Sequence, residues 1–189
     1  MTLLTVTTPF TTMKKYILAL FIITIICAAF TPANNTVTRS AITFQAKNMG
    51  IGVEGTVSGL QANIQFDPAN LTSSSIEASV DAGTINTDNS SRDEHLKSED
   101  FFNVTHYPKI IMKSVSFKHR SGDNYTGLFN LTIKGKTKSL AIPFTCIQKG
   151  SNLAFKGSFK LNRLDFGIGD SSLVLSDDVT VSIDAEVAS

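Results

Sequence analysis

The sequence predicts an all-β protein, an antiparallel barrel of eight or nine short strands with a short helix set at one mouth. Three observations carry this: side chains alternate apolar and polar with period two, turn-forming clusters recur between the alternating runs, and one charged segment breaks the pattern. Alternation places every second side chain on one face of a strand. It is plainest near the C-terminus, where Leu153, Phe155, Gly157, Phe159 and Leu161 interleave with Ala154, Lys156, Ser158 and Lys160, and Val179, Val181, Ile183, Ala185 and Val187 interleave with polar neighbours. Similar runs cover 42–46, 53–57, 64–66, 76–82, 110–117, 125–133 and 140–146. Between them lie Asp67-Pro68-Ala69-Asn70, Ser121-Gly122-Asp123-Asn124, Gly135-Lys136-Thr137 and Lys149-Gly150-Ser151-Asn152. These are turn chemistries. Closing such a sheet on itself removes its exposed edges.

The interruption runs from Asn89 to Phe102. It has a cap candidate in Asn89 or Ser90, acidic residues in its first turn and no β-branched residue, so it reads as a short helix. Placed over a mouth, it would point Leu96, Phe101 and Phe102 into the barrel. A second helical turn is expected around 163–169.

The N-terminus reads as an address. Met13-Lys14-Lys15-Tyr16 precedes an uncharged run from Ile17 to Phe30, the basic and apolar regions of a secretory signal. The run is shorter than the ~20 residues a bilayer-spanning helix needs, so no stable membrane anchor is expected. Cleavage after Ala29 or Ala33 would leave residues 1–33 as leader and 34–189 as the mature domain, periplasmic or secreted. Of the 17 basic groups only Lys14 and Lys15 would be lost, against 16 acidic ones, so the exported chain is nearly neutral. That balance argues against nucleic acid as a partner. The two cysteines, Cys27 and Cys146, fall on either side of the cleavage and allow no disulfide framework in the mature chain.

Several motif matches fail on context. Gly50-Ile51-Gly52-Val53-Glu54-Gly55 fits a dinucleotide pattern but runs into a strand instead of a helix. Gly135-Lys136-Thr137 lacks the earlier glycine of a phosphate loop, because position 130 is Asn130. Gly169-Asp170-Ser171-Ser172-Leu173 is similar to one hydrolase nucleophile block, yet no histidine follows His119 to serve as base. His95, His106 and His119 have no spacing that pairs imidazoles on one face, so no metal is expected. Ten of the 13 Phe lie beyond the leader, mostly on strand faces. A barrel of about eight strands is either filled by such side chains or left open for one small apolar ligand, and pattern alone leaves both readings standing.

From about Arg39 onward the chain resembles the YceI-like family of exported, lipocalin-like barrels that bind polyisoprenoid or other long-chain lipids. The resemblance rests on Phe44-x-x-Lys47-x-Met49-Gly50 with Val53-x-Gly55, on Ile64-x-Phe66-Asp67-Pro68, and on Asn89-x-x-Arg92-Asp93-x-His95-Leu96 followed by Asp100-Phe101-Phe102 and Tyr107-Pro108. It continues through Gly127-x-x-x-Leu131-Thr132-Ile133-Lys134-Gly135-x-Thr137-Lys138, Asn162-Arg163-x-Asp165-Phe166-Gly167 and Ser176-Asp177-Asp178-Val179. Two family histidines are replaced, one before the first strand by Arg39 and one at its end by Asn48.

The resemblance implies an eight-stranded lipocalin-like barrel with an elongated apolar cavity that binds, stores or transports a polyisoprenoid or fatty-acyl lipid without cofactor or catalysis. The expected lining is Phe44, Phe66, Leu96, Phe101, Phe102, Ile110, Met112, Phe129, Leu131, Phe144, Phe155, Phe159 and Phe166. Arg92, Asp93 and His95 are expected to fix the helix to the barrel. Two rival classes stay in view: an enzyme drawing on Arg92, Asp93, His95 and Arg163, and a solid-core interaction barrel. Assembly, monomer or homodimer, is left open.

Overall fold

The computed structural model describes residues 36–188; the expected leader lies outside them. Eight strands follow in order: β1 (Val37–Asn48), β2 (Ile51–Gln65), β3 (Ser75–Asn86), β4 (Lys109–Ser121), β5 (Asn124–Ile133), β6 (Lys136–Lys149), β7 (Asn152–Asn162) and β8 (Asp178–Ala188). Helix α1 (Ser90–Lys97) lies between β3 and β4, and a 3-10 turn (Arg163–Phe166) follows β7. Each strand pairs antiparallel with the next, and β1 pairs with β8 to close the barrel, with Ile42 opposite Ile183 and Phe44 opposite Val181.

Alternation builds the wall as expected. In β5, Tyr125, Gly127, Phe129, Leu131 and Ile133 are all buried and face inward, while the residues between them face out. The two runs 53–57 and 64–66 prove to be one strand, β2. Its pairing with β3 shifts register between Thr56 and Gln61, around Gly59, which sits at φ +75°. Such a bulge inserts an extra residue, bends the strand and moves the apolar set out of phase, so Val57 and Leu60 both face inward although three apart. Gly55 has a second role. A Cβ there would collide with the ring of Phe44 and lie 2.9 Å from the Asn86 carbonyl oxygen, so only glycine lets that ring lie across the backbone.

The two ends differ. At the end formed by the β2–β3, β4–β5 and β6–β7 connections, Phe66 sits among Tyr125, Phe117, Phe144 and Phe155 with ring centroids 5.1, 5.3, 5.7 and 5.8 Å away, all near edge-to-face. Such contacts contribute ~0.5 to 1.5 kcal/mol each beyond burial. These rings pack across this end as one cluster. At the other end lie α1, the β1–β2 turn, the β5–β6 turn, the 3-10 turn and residues 167–177.

Helix α1 is shorter than the expected 89–102. Asn89 caps it, its side chain accepting from the Arg92 amide at 3.0 Å, and Ser98, in extended conformation, ends it. The chain then winds back, with the Phe102 amide on the Leu96 carbonyl (3.0 Å) and the Asn103 amide on the Ser98 carbonyl (2.8 Å). In a continued helix, Phe101 and Phe102 would diverge by about 100°. The turn brings both onto the same interior.

The candidate ligand cavity

Above the aromatic plug the barrel is hollow, with a cavity of about 250 Å³. Phe44, Leu96, Phe101, Phe102, Ile110, Met112, Phe129, Leu131, Phe144, Phe155 and Phe159 line it. Two expected lining residues do not. Phe66 follows the last residue of β2 and is the hub of the plug, where its ring fills the barrel end instead of flanking free space. Phe166, only 1% exposed, belongs to the 3-10 turn and is packed among Leu131, Ile133, Leu161 and Ile168, whose side chains stand between it and the free space. Much of the aliphatic wall lies outside the expected lining: Ile42, Val57, Leu60, Val80, Ile85, Val179, Val181 and Ile183. Period-two alternation held the signal for it in β1, β3 and β8.

Polar side chains on the wall are few: Thr43, Ser79, Lys156 and Arg163. Lys156 turns its ammonium outward to Asp184 at 3.0 Å. Arg163 is buried, and its guanidinium donates to the carbonyls of Ile168 (2.8 Å), Ser176 (3.0 Å) and Leu175 (3.4 Å) and to Asp177 Oδ1 (3.0 Å). It therefore ties residues 168–177 to the 3-10 turn. Among the described residues no buried side-chain nitrogen or oxygen lacks a partner. The cavity thus presents hydrocarbon to its contents.

The helix motif converges on a residue that motif reading missed. Thr87, buried at the end of β3, donates from its amide (2.8 Å) and its hydroxyl (2.6 Å) to Asp93 Oδ1, while its hydroxyl and carbonyl accept from Arg92 Nε and Nη2 at 2.7 Å each. No residue of α1 is fully buried, so this polar lock supplies what an apolar face would otherwise provide. His95 takes a different part, its ring stacked at a tilt on Phe101 with centroids 4.7 Å apart. His106 Nδ1 lies 2.9 Å from Asn103 Oδ1 and His119 Nε2 lies 2.8 Å from the Gly122 carbonyl. Among the described residues no group of three His, Cys, Asp or Glu side chains is placed to hold a metal.

The rejected motifs resolve as turns. Lys134 and Gly135, at φ +48° and +72°, make the two-residue hairpin turn between β5 and β6. Ser172 Oγ accepts from the amides of Val174 and Leu175. Arg39 lies within β1, not before it, and its guanidinium binds Asp184 at 2.6 Å on the outer face. A head-group contact at that position has no path into the cavity. Burial, with a smaller push from the Asp123 charge, drives the Cys146 thiol up to about 11.

A closed eight-stranded antiparallel barrel around an apolar lumen, with a polar-locked helix at one end, defines a lipocalin-like class of protein. Within it, the YceI-like domain model matches residues 34–187, and the chain belongs to the YceI-like family. It is similar to a UPF0312 protein of Vibrio cholerae, 27% identical over 146 residues covering 72% of this chain and 77% of the relative. A UPF0312 protein of Pseudomonas aeruginosa is 30% identical over 134 residues, 67% and 70% of the two chains. Among solved structures, Burkholderia cenocepacia BcnA superposes with a TM-score of 0.74 at 24% identity, covering 78% of this chain and 95% of that one. A polyisoprenoid-binding domain from Saccharophagus degradans superposes at 0.68 with 12% identity, covering 82% and 97%. At those identities the two structures show a shared fold.

Proposed function

We propose that the barrel holds the apolar tail of a long-chain amphipathic lipid, of polyisoprenoid or fatty-acyl type, for storage or transport outside the cytoplasm. The observation that carries this reading is the predominantly hydrocarbon lining of the lumen, in which the two charged side chains, Lys156 and Arg163, direct their polar atoms to protein partners. Each CH₂ taken out of water contributes ~0.8 kcal/mol, so such a tube binds a tail with no catalytic group. The polyisoprenoid-binding neighbour supports the ligand class. The basic and apolar leader supports export.

The enzyme alternative draws on Arg92, Asp93, His95 and Arg163, and the geometry speaks against it. Arg92 and Asp93 direct their polar atoms to Thr87, and Arg163 directs its own to loop carbonyls and Asp177. Native mass spectrometry of protein purified without detergent, followed by organic extraction, tests the carrier reading. The expected result is an adduct that extracts as a lipid and rebinds to delipidated protein. Delipidated protein that takes up no chain of any length refutes it.

A further inference from the structure

Four large apolar side chains stand in solvent at the α1 end of the barrel: Met49 at 75% exposure, Ile51 at 72%, Val174 at 50% and Leu173 fully exposed. Two separate segments supply them, the β1–β2 turn and the stretch before β8. Backbone bonds join the two into one ledge, with the Met49 amide on the Val174 carbonyl (2.7 Å), the Ser176 amide on the Lys47 carbonyl (2.8 Å), and Asn48 bridged to Leu175. Soluble surfaces carry single exposed apolar residues routinely; a cluster at one tip marks an interaction site.

Backbone strain singles out the same place. Met49 and Gly50, at φ +53° and +78°, form a two-residue turn whose first position favours Asn, Asp or Gly. An unbranched apolar residue held left-handed there is strained, and its side chain is three-quarters exposed. Packing of the fold does not explain why methionine occupies it.

We propose that this ledge inserts into the surface of a lipid bilayer and sets the barrel mouth against it. Its shape points to lipid, because protruding side chains on the crests of two turns sink into a deformable apolar medium, whereas a protein partner would need a matching concavity for each. Continuity points the same way: Leu175, next to the exposed Leu173 and Val174, lines the lumen, so the ledge and the cavity form one apolar track. Lys47, exposed on the ledge and without an acidic partner among the described residues, is placed to meet lipid phosphates while its stem lies along apolar surface. Docking deepens the lipid-carrier reading and rests on it only for what passes into the lumen.

The test is flotation of the mature protein with phosphatidylcholine vesicles, run beside decanoate binding from aqueous solution by calorimetry. Wild-type protein is expected to float with the vesicles. The variant Met49→Ser, Ile51→Thr, Leu173→Ser, Val174→Thr should lose at least tenfold in vesicle binding and keep decanoate affinity, and Val115→Ser, on the outer wall, should change neither. Unaltered melting of the variant confirms that it folds. Absent wild-type flotation, or a quadruple variant that floats as well, overturns the proposal. So does a wild-type dimer in sedimentation that the quadruple variant dissolves, because the ledge is then the contact between two copies. Flotation together with no decanoate uptake upholds docking and sinks the carrier reading instead.

Discussion

Lengthening the ligand one methylene at a time probes the lumen directly. A methylene occupies about the volume of a water molecule, roughly 30 Å³, so a cavity of about 250 Å³ accepts about eight of them. At ~0.8 kcal/mol per buried CH₂, each added group should tighten binding about fourfold, for a total near 6 kcal/mol before the gain stops. Displacement of a fluorescent fatty acid by saturated carboxylates, from butyrate to palmitate, measures this. The affinity should climb steadily and then break to a plateau once about eight methylenes are inside. Ala78 faces the lumen from β3, opposite Ala62 and Met112, so Ala78→Phe should move the break to a shorter chain. Overfilling costs ~1 to 3 kcal/mol, and melting must first establish that the variant folds. Affinity independent of chain length, or a break unmoved in folded Ala78→Phe, would refute the assignment of the lumen as the binding site.

Other consequences are as specific. Arg163→Lys keeps the charge but not the planar fork, so it strands at least one loop carbonyl and should lower Tm by on the order of 10 °C; a Tm within about 2 °C of wild type would remove Arg163 from its tying role. Asp93→Ala takes the acceptor from both the amide and the hydroxyl of Thr87, and amide exchange over residues 87–97 should speed up about tenfold while the strands hold; unchanged protection in α1 would count against the lock. The hydrogen bond from Lys156 is the largest influence on the Asp184 carboxyl; burial, next in size, pushes the other way, and the charges of Arg39 and Lys156 help to hold it below its ordinary 3.8. Its contribution is therefore present above that value and lost as pH falls through the folded pKa, so the Tm gap between wild type and Asp184→Asn should narrow in acid. The raised thiol of Cys146 works in the other direction: its stabilisation is intact below pH 9 and falls away as pH rises toward about 11. Native protein should resist iodoacetamide at pH 8 (roughly neutral, where the buried thiol stays protonated), and rapid labelling would show that Cys146 is not buried.

Strand positions were legible because alternation is a local property, visible in β5 or β8 without knowledge of the partner strand. Where a bulge broke phase, at Gly59, the same rule split one strand into two. The helix was legible from its cap and charges, but its end was not, since the reversal after Lys97 depends on Phe101 and Phe102 both finding the lumen. Thr87 gave no signal at all: a lone threonine becomes the anchor of α1 only when β3 delivers it beneath Arg92 and Asp93. Phe66 and Phe166 show the limit of reading residue type as position. Both are apolar, buried and in matching motifs, yet whether a ring meets another ring or open space is decided by barrel radius and by connections that no local window contains.

The aromatic plug makes the barrel a blind tube. A tail that enters past α1 has no second exit, so loading and unloading share one opening and cannot overlap in time. If the barrel carries lipid as proposed, exchange between a donor and an acceptor would follow a ping-pong order, the donor leaving before the acceptor arrives. A lipid held tail-inward as proposed would also come out with its polar end first. A protein built this way conserves the orientation of its cargo without having to bind the head group.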